Sequence, residues 1–351
     1  MDFALISEAY LRPGEDEHDR YPQVMAEFVA GERAGFDVVG LSEQHFNHPM
    51  YTFASAEPFY GALAANTSRI GIRTMSMILP YHHPLNVAER MATLDIVSGG
   101  RLQFGTGRGN SAYSLEAYGL SPADTQAIWR EQMEIIIGCW QEGSFAYEGT
   151  HYRIPERAVR PKPVQQPHPP LWYAAISPNS HVVAAEEGLS VMTQTIGIRR
   201  DQVDQRVQAY RSAFRHDGGL SRAPAERVSL YTMAYCHEDR SVARERARQP
   251  MTEYLLRTSE MYEATMRAQG LDLDFDKLRR GFEDWDRVVG DGMVMVGDPD
   301  DCVRWLREYA ELGIDEFCFR IEGVSHDHAL ECIEALGAHV IPQCKAPAVR
   351  A

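Results

Sequence analysis

The run Ile70-Gly71-Ile72-Arg73-Thr74-Met75-Ser76-Met77 is short and mostly apolar. An amphipathic, helix-like stretch follows at 85–98, and the next run is Arg101-Leu102-Gln103-Phe104-Gly105-Thr106-Gly107. A near-continuous apolar run, a helix, then a second such run describes two parallel strands joined by a covering helix. The unit recurs on both sides. Comparable runs stand at Phe3–Ser7 and Asp37–Ser42 before it, and at Leu171–Ile176, Leu189–Thr195, Val228–Cys236 and Ile314–Ile321 after it. Helix-like segments at 20–35, 58–67, 123–142, 179–187, 200–216, 239–256, 300–312 and 326–341 lie between or after them. This alternation predicts an α/β fold, a (β/α)8 TIM barrel with insertions. An open doubly wound sheet is the alternative.

Ser121-Pro122, Ser177-Pro178 and Asp298-Pro299 each pair a capping side chain with a proline at the first helical position, so each is expected to open a helix. Gly313 is expected to close the helix at 300–312. Residues 143–170, rich in Pro, Gly and Arg, read as an extended excursion. The stretch 257–297 is long for a connection in a compact domain and reads as a candidate lid before the eighth strand. With no repeat or low-complexity tract, 1–351 is expected to be a single domain with a tail at 342–351.

The chain has 351 residues, 44% of them hydrophobic, which excludes wholesale disorder. Its 35 Lys and Arg against 50 Asp and Glu give a net charge of −15, the wrong sign for nucleic acid. The six cysteines (Cys139, Cys236, Cys302, Cys318, Cys332, Cys344) form no Cys-x-x-Cys pair and are expected to be reduced and mostly buried. No window approaches the ~20 apolar residues of a membrane span. No secretory leader is seen, and a cytoplasmic protein is expected.

In such a barrel the chemistry stands at the C-terminal ends of the strands. There the sequence turns polar: Ser7-Glu8, Glu43-Gln44-His45, Met75-Ser76-Met77, Gly105-Thr106-Gly107-Arg108-Gly109-Asn110, Ser177-Pro178-Asn179-Ser180, Thr193-Gln194-Thr195 and Arg320-Ile321-Glu322-Gly323. Three alternating glycines let backbone approach a ligand, and Arg108 offers a bidentate grip on an anion. A tight strand-end turn with a rim salt bridge explains the same residues. Neither a Walker A loop nor a Rossmann fingerprint is present. Ser177 and Ser180 stand where free N–H groups at a helix start favour phosphate, and plain capping by Ser177 is compatible with that. With Arg108 on the neighbouring strand they suggest a phosphate clamp. His45 suits general acid–base work or a structural rim role. His48, His82 and His83 lie on nearby loops, but no metal-binding spacing accompanies them, and no metal is expected. Tyr10, Phe46, Tyr81, Trp172 and Tyr173 are expected to pack in the core or at the rim, with Tyr10, Phe46 and Trp172 bearing on pocket shape.

Taken together, these stretches resemble the bacterial luciferase-like flavin monooxygenases. The resemblance is carried by Glu32-Arg33-Ala34-Gly35-Phe36-Asp37, Leu41-Ser42-Glu43-Gln44-His45-Phe46, Leu79-Pro80-Tyr81-His82-His83-Pro84 and Leu94-Asp95-Ile96-Val97-Ser98-Gly99-Gly100-Arg101. It continues in Phe104-Gly105-Thr106-Gly107-Arg108-Gly109 and Val296-Gly297-Asp298-Pro299-Asp300-Asp301-Cys302. It implies a barrel that takes reduced FMN as co-substrate and oxidises a small organic molecule, of the aldehyde or ketone class, through a C4a-peroxyflavin. It also implies a partner flavin reductase and a homodimer. By the same resemblance, Arg108, Gly109, Asn110, Ser177 and Ser180 would meet the phosphate. Met75-Ser76 would be a non-prolyl cis peptide beneath the flavin ring, and Glu43 and Gln194 would complete the cofactor site. Catalysis would fall to Gln44 and His45. The luciferases carry Glu-His-His where this chain has Glu43-Gln44-His45, and glutamine is no general base. The luciferase glutamate before the phosphate serine is Ile176 here, and the cysteine before the phosphate arginine is Gly107. Two other readings follow from the same kinship. One is hydride transfer with a deazaflavin, whose anionic tail Arg73 or Arg320 could help to hold; the other is a non-catalytic flavin-binding relative.

Overall fold

A computed structural model describes residues 1–47, 51–109, 111–268 and 274–345. Asn110, His48 and the tail from 346 onward lie outside the described residues, as does 269–273 of the candidate lid. Eight parallel strands close into a barrel: β1 (Asp2–Ser7), β2 (Val38–Leu41), β3 (Gly71–Thr74), β4 (Leu102–Gly107), β5 (Leu171–Ala174), β6 (Ser190–Gln194), β7 (Val228–Cys236) and β8 (Glu316–Arg320). Each neighbours the next, and β8 returns to β1 with Asp2 opposite Glu316 and Ile6 opposite Arg320. All eight expected runs are barrel strands, so the open-sheet alternative falls.

Helices Glu17–Ala34, Glu57–Asn66, Pro84–Val97, Thr125–Trp140, Pro178–Glu186, Arg200–Ala213 and Pro299–Ala310 cover the strands. Their apolar faces and the outward strand faces make the main core, which includes Phe3, Phe28, Val39, Ile72, Phe104, Trp129, Ile136 and Phe317. Inside the barrel a smaller cluster of Ala4, Ile6, Val38, Met75 and Cys318 fills the middle. Below it Arg73 forks onto Glu316 at 2.6 and 2.7 Å, both side chains fully buried. Ser229 donates to the same Glu316 carboxylate at 2.7 Å, and the Arg73 guanidinium lies 3.8 Å from the centre of the Trp172 ring. This polar plug fills the barrel beneath the site, with Ser229 reaching the cavity floor, as filled layers do in barrels of this size.

Ser177 and Asp298 cap their helices as expected, accepting from the N–H groups of Ser180 (3.2 Å) and Asp301 (2.9 Å), each with proline next in sequence. Ser121-Pro122 departs from expectation. The helix begins at Thr125, and the Ser121 hydroxyl instead accepts from Ala123 N–H in a turn. Pro122 stands in that turn, a position that suits its fixed φ as well as a helix start does. Gly313, at φ 90°, makes the turn from the helix ending at Ala310 into β8.

The third expected run is interrupted. A cis peptide joins Met75 to Ser76. Beyond it a two-residue strand, Met77–Ile78, pairs with Thr106 and Gly107 of β4. The excursion at 143–170 contains an antiparallel hairpin, Phe145–Glu148 with Arg153–Arg157, outside the barrel. The described part of 257–297 is not a loop. A helix after β7 runs Arg240–Ala268, well past the expected end at 256. Helices Phe275–Glu283 and Trp285–Gly290 and a strand Val294–Gly297 follow. That strand pairs with Met233–Cys236, the far half of β7, after β6 has paired with the near half at Val228–Tyr231. The six cysteines form no disulfide; five are buried and Cys344 is partly so. Among the described residues no helix is long and apolar enough to cross a membrane.

Candidate active site

A cavity of about 300 Å³ opens at the C-terminal ends of the strands. Glu43, Gln44, Met75, Ser76, Arg108, Gly109, Ser177, Ser180 and Gln194 all line it. The expected site is therefore brought together, with two qualifications: Asn110 lies outside the described residues, and His45 is not part of the lining.

The clamp residues come from neighbouring strand ends. Arg108 follows β4 and is steadied by Thr125 Oγ1 at 3.4 Å and by the Tyr173 hydroxyl. Gly109 takes φ 85°, a left-handed turn that costs glycine little, and a Cβ there would press on Ile78 and Leu115. Ser177 and Ser180 sit in the first turn after β5, their hydroxyls 3.2 Å apart. His181 fastens this turn from below: Nδ1 donates to the Ser177 carbonyl at 2.8 Å, and Nε2 accepts from the Thr193 hydroxyl at 2.9 Å. Burial, helped by the nearby positive charge of Arg206 and opposed by the Ser177 carbonyl, pushes the His181 imidazole down to about 4, so it is neutral at physiological pH.

Between clamp and floor, Gly107 lines the cavity and packs closely on Ser76 and Ile78. A Cβ on it would stand 2.8 Å from Ser76 Oγ, against the cis peptide. Met75, Ile78, Ile6 and Met192 give this part of the wall an apolar character suited to a flat ring. A cation and two hydroxyls beside an apolar shelf could hold an anionic group at one end and a flat ring at the other.

Glu43 is the hub of the other edge. Its backbone N–H bonds to the Ser76 carbonyl at 3.4 Å. One carboxylate oxygen accepts from His45 Nε2 (2.9 Å) and His82 Nε2 (2.8 Å), and the other from the Ile78 N–H (2.7 Å). Burial alone would raise this carboxyl; the three donors outweigh it and hold Glu43 below the usual carboxylate range. His45 thus stands behind Glu43. Its other nitrogen takes a hydrogen bond from Tyr118 at 3.1 Å, and its ring packs on Tyr81 and Tyr118.

Of the aromatic residues weighed for pocket shape, Tyr10 and Trp172 are buried outside the lining and Phe46 is 57% exposed at the surface, whereas Tyr173 does line the cavity. Arg73 and Arg320, considered for a deazaflavin tail, are both fully buried and ion-paired to glutamates. The barrel interior has already taken up these cations. Sequence reading missed Tyr51, Tyr231, Tyr254 and Thr258, and noted Glu8 only as the end of β1. Tyr254 and Thr258 share one face of the helix Arg240–Ala268, and their i, i+4 spacing was the available signal.

The family described as luciferase-like monooxygenase matches residues 1–316. The oxygenase component of a flavin-dependent trigonelline monooxygenase from Acinetobacter baylyi is 23% identical, over 92% of this chain and 89% of that protein. An F420-dependent glucose-6-phosphate dehydrogenase from Microbacterium testaceum is 26% identical, over 92% of this chain and 94% of that one. The oxygenating constituent of the 3,6-diketocamphane monooxygenase of Pseudomonas putida, solved with FMN, superposes with a TM-score of 0.77 at 19% identity, covering 98% of each chain.

Proposed function

The chain belongs to the luciferase-like monooxygenase family, and from that premise we propose that its cavity binds reduced FMN and oxidises a small carbonyl-bearing substrate. The observation that carries this reading is that Arg108, Ser177 and Ser180 line one cavity with Gly107 and an apolar shelf of Met75, Ile78 and Met192. Arg108 and the two serines would bind the phosphate, with Gly109 letting the chain turn around it. Met75, Ser76 and Ile78 would support the ring. When bound, reduced flavin supplies the electrons that activate O2. The chain's own contribution is to hold the ring, exclude water and place the substrate. Glu43, Gln44 and Gln194 would offer a fixed carboxylate and two amides along the ring edge. His45 would act as a positioning residue, keeping Glu43 ionised and aimed. The relative named as an oxygenase component supports a separate reductase as the source of reduced flavin.

Relatives named F420-dependent support a second reading, hydride transfer with a deazaflavin. Its longer anionic tail would need cations other than Arg73 and Arg320. Anaerobic titration with reduced FMN and with reduced F420, each followed by a pulse of O2, separates the two. Tighter binding of FMN and substrate-dependent oxygen incorporation are expected. Preference for F420 would replace the first reading with the second, and flavin binding with no oxygenated product from any carbonyl compound would favour a non-catalytic relative.

A further inference from the structure

Across the barrel from the clamp lies a second polar patch to which the flavin reading gives no task. The clamp stands at the ends of β4 and β5; β1 and β8 are on the opposite side of the closed ring. There Glu8 follows β1 and lines the cavity, along with Tyr231 of β7, Tyr254 and Thr258 of the helix Arg240–Ala268, and Tyr51 of the loop after β2. The Tyr254 hydroxyl is a junction: it reaches Glu8, lies 3.2 Å from the Tyr231 hydroxyl and accepts from Tyr51 at 3.3 Å.

The charges behind Glu8 are unequal. Arg320 Nε serves both Glu8 (2.8 Å) and Glu322 (3.1 Å). Glu322 also receives the Ser7 hydroxyl at 2.6 Å, the Glu8 N–H at 3.1 Å and Arg20 at 3.4 Å. Arg20 in turn is committed to Glu27, which His326 Nδ1 also meets at 2.9 Å. Two guanidinium groups therefore face three buried carboxyls. Glu322 and Glu27 collect the donors, and Glu8 has the poorest share. A neutral Glu8 balances the cluster, and its acid proton can go to the Tyr254 hydroxyl or to an acceptor that enters the cavity. Arg320 cannot accept, and its guanidinium is stacked 3.8 Å from the Tyr254 ring centre.

Resting on the FMN reading, we propose that protonated Glu8 donates a hydrogen bond to the carbonyl oxygen of the organic substrate, which makes the β1–β7–β8 side of the cavity the substrate end. The donor polarises the carbonyl and orients it toward the ring. The hydroxyls of Tyr254 and Tyr231 shape the polar pocket around that oxygen. Burial pushes the Glu8 carboxyl up to about 7 from 4.5, with Arg320 pulling the other way. The titratable groups facing it are Arg320 and Glu322 at the end of β8, Cys318 within β8, Tyr231 and Tyr254. Of these only Glu8 is placed to change charge near neutrality.

The test uses protein loaded with oxidised FMN and cyclohexanone labelled with 13C at its carbonyl, read by infrared difference spectroscopy at about pH 6 and about pH 9. In the wild type the bound carbonyl band should move to lower frequency at the acid pH and relax at the alkaline pH. Ketone binding should weaken about five- to tenfold between the two, the worth of one hydrogen bond. Glu8→Gln keeps the shape of the side chain but cannot titrate. It should bind FMN as the wild type does and show the same band at both pH values. A wild-type band that ignores pH overturns the proposal, as does pH dependence that survives in E8Q. Protein that binds FMN but holds no ketone at either pH also overturns it, while leaving the cofactor reading intact.

Discussion

At the scale of single residues, the site separates groups that touch a ligand from groups that hold those groups in place. In the proposed function Arg108 belongs to the first kind. Arg108→Ala should weaken FMN binding by about 1.5–3 kcal/mol, the range for a charged hydrogen bond. Fluorescence titration checks this, and an unchanged dissociation constant would refute the clamp. His45 belongs to the second kind. It supplies one of the three donors that keep Glu43 below the usual carboxylate range. Removing it should let the Glu43 carboxyl rise, so the acid limb of turnover should move to higher pH in His45→Ala while FMN affinity stays the same. A uniform loss at every pH would instead mark His45 as an acid or base in its own right. That Arg108, Ser177 and Ser180 line one cavity was legible because glycines, a cation and a capped turn fall together at strand ends. The placement of His45 was not, because residues 43–45 leave the strand and only the fold decides which side chain turns inward.

At the scale of elements, the helix Pro178–Glu186 with its cap Ser177 presents both serines of the proposed clamp and their support. His181 ties its first turn to β6 through the Ser177 carbonyl and the Thr193 hydroxyl, and this requires a neutral ring. The ring titrates near 4 in the folded chain and near 6.5 when unfolded. Between those values the unfolded chain binds the extra proton, so stability falls as pH drops from about 6.5 toward 4, by about 3 kcal/mol in all. Urea unfolding at several pH values should show this slope in the wild type and a shallower one in His181→Gln. Equal slopes would mean that the imidazole is not held neutral. The strand alternation and two of the three proline-marked helix starts were visible in the sequence. The helix running to Ala268 and the strand Val294–Gly297 were not. The first is polar overall and carries Pro250 inside it; the second has four residues and lies in a stretch that reads as loop.

At the scale of the whole molecule, one end of the barrel is spent on stability and the other on chemistry. Glu316 and Arg73 form a buried pair joining β8 to β3 across the interior. Glu316→Ala should cost about 3–5 kcal/mol by leaving the guanidinium unpaired, and the joint change Arg73→Met with Glu316→Leu should recover most of it. Urea midpoints measure both, and a single substitution as mild as the double would show that the plug adds nothing. Both residues could be read as strand members from the sequence alone. Their pairing could not, because it joins strands 243 positions apart. The double pairing of β7 bears on a different property. Cys236 lies opposite Gly297, so the chain departs from the barrel and comes back beside its own point of departure. The entropy of closing such a detour grows only with the logarithm of its length. A longer or shorter connection between those two residues would therefore change the closure entropy little. The segment that contributes Tyr254 and Thr258 can thus change length at little entropic cost provided the buried contacts of Ala247, Met251 and Leu255 are kept, and such a change would reshape one wall of the cavity while Arg108, Ser177 and Ser180 stay as they are.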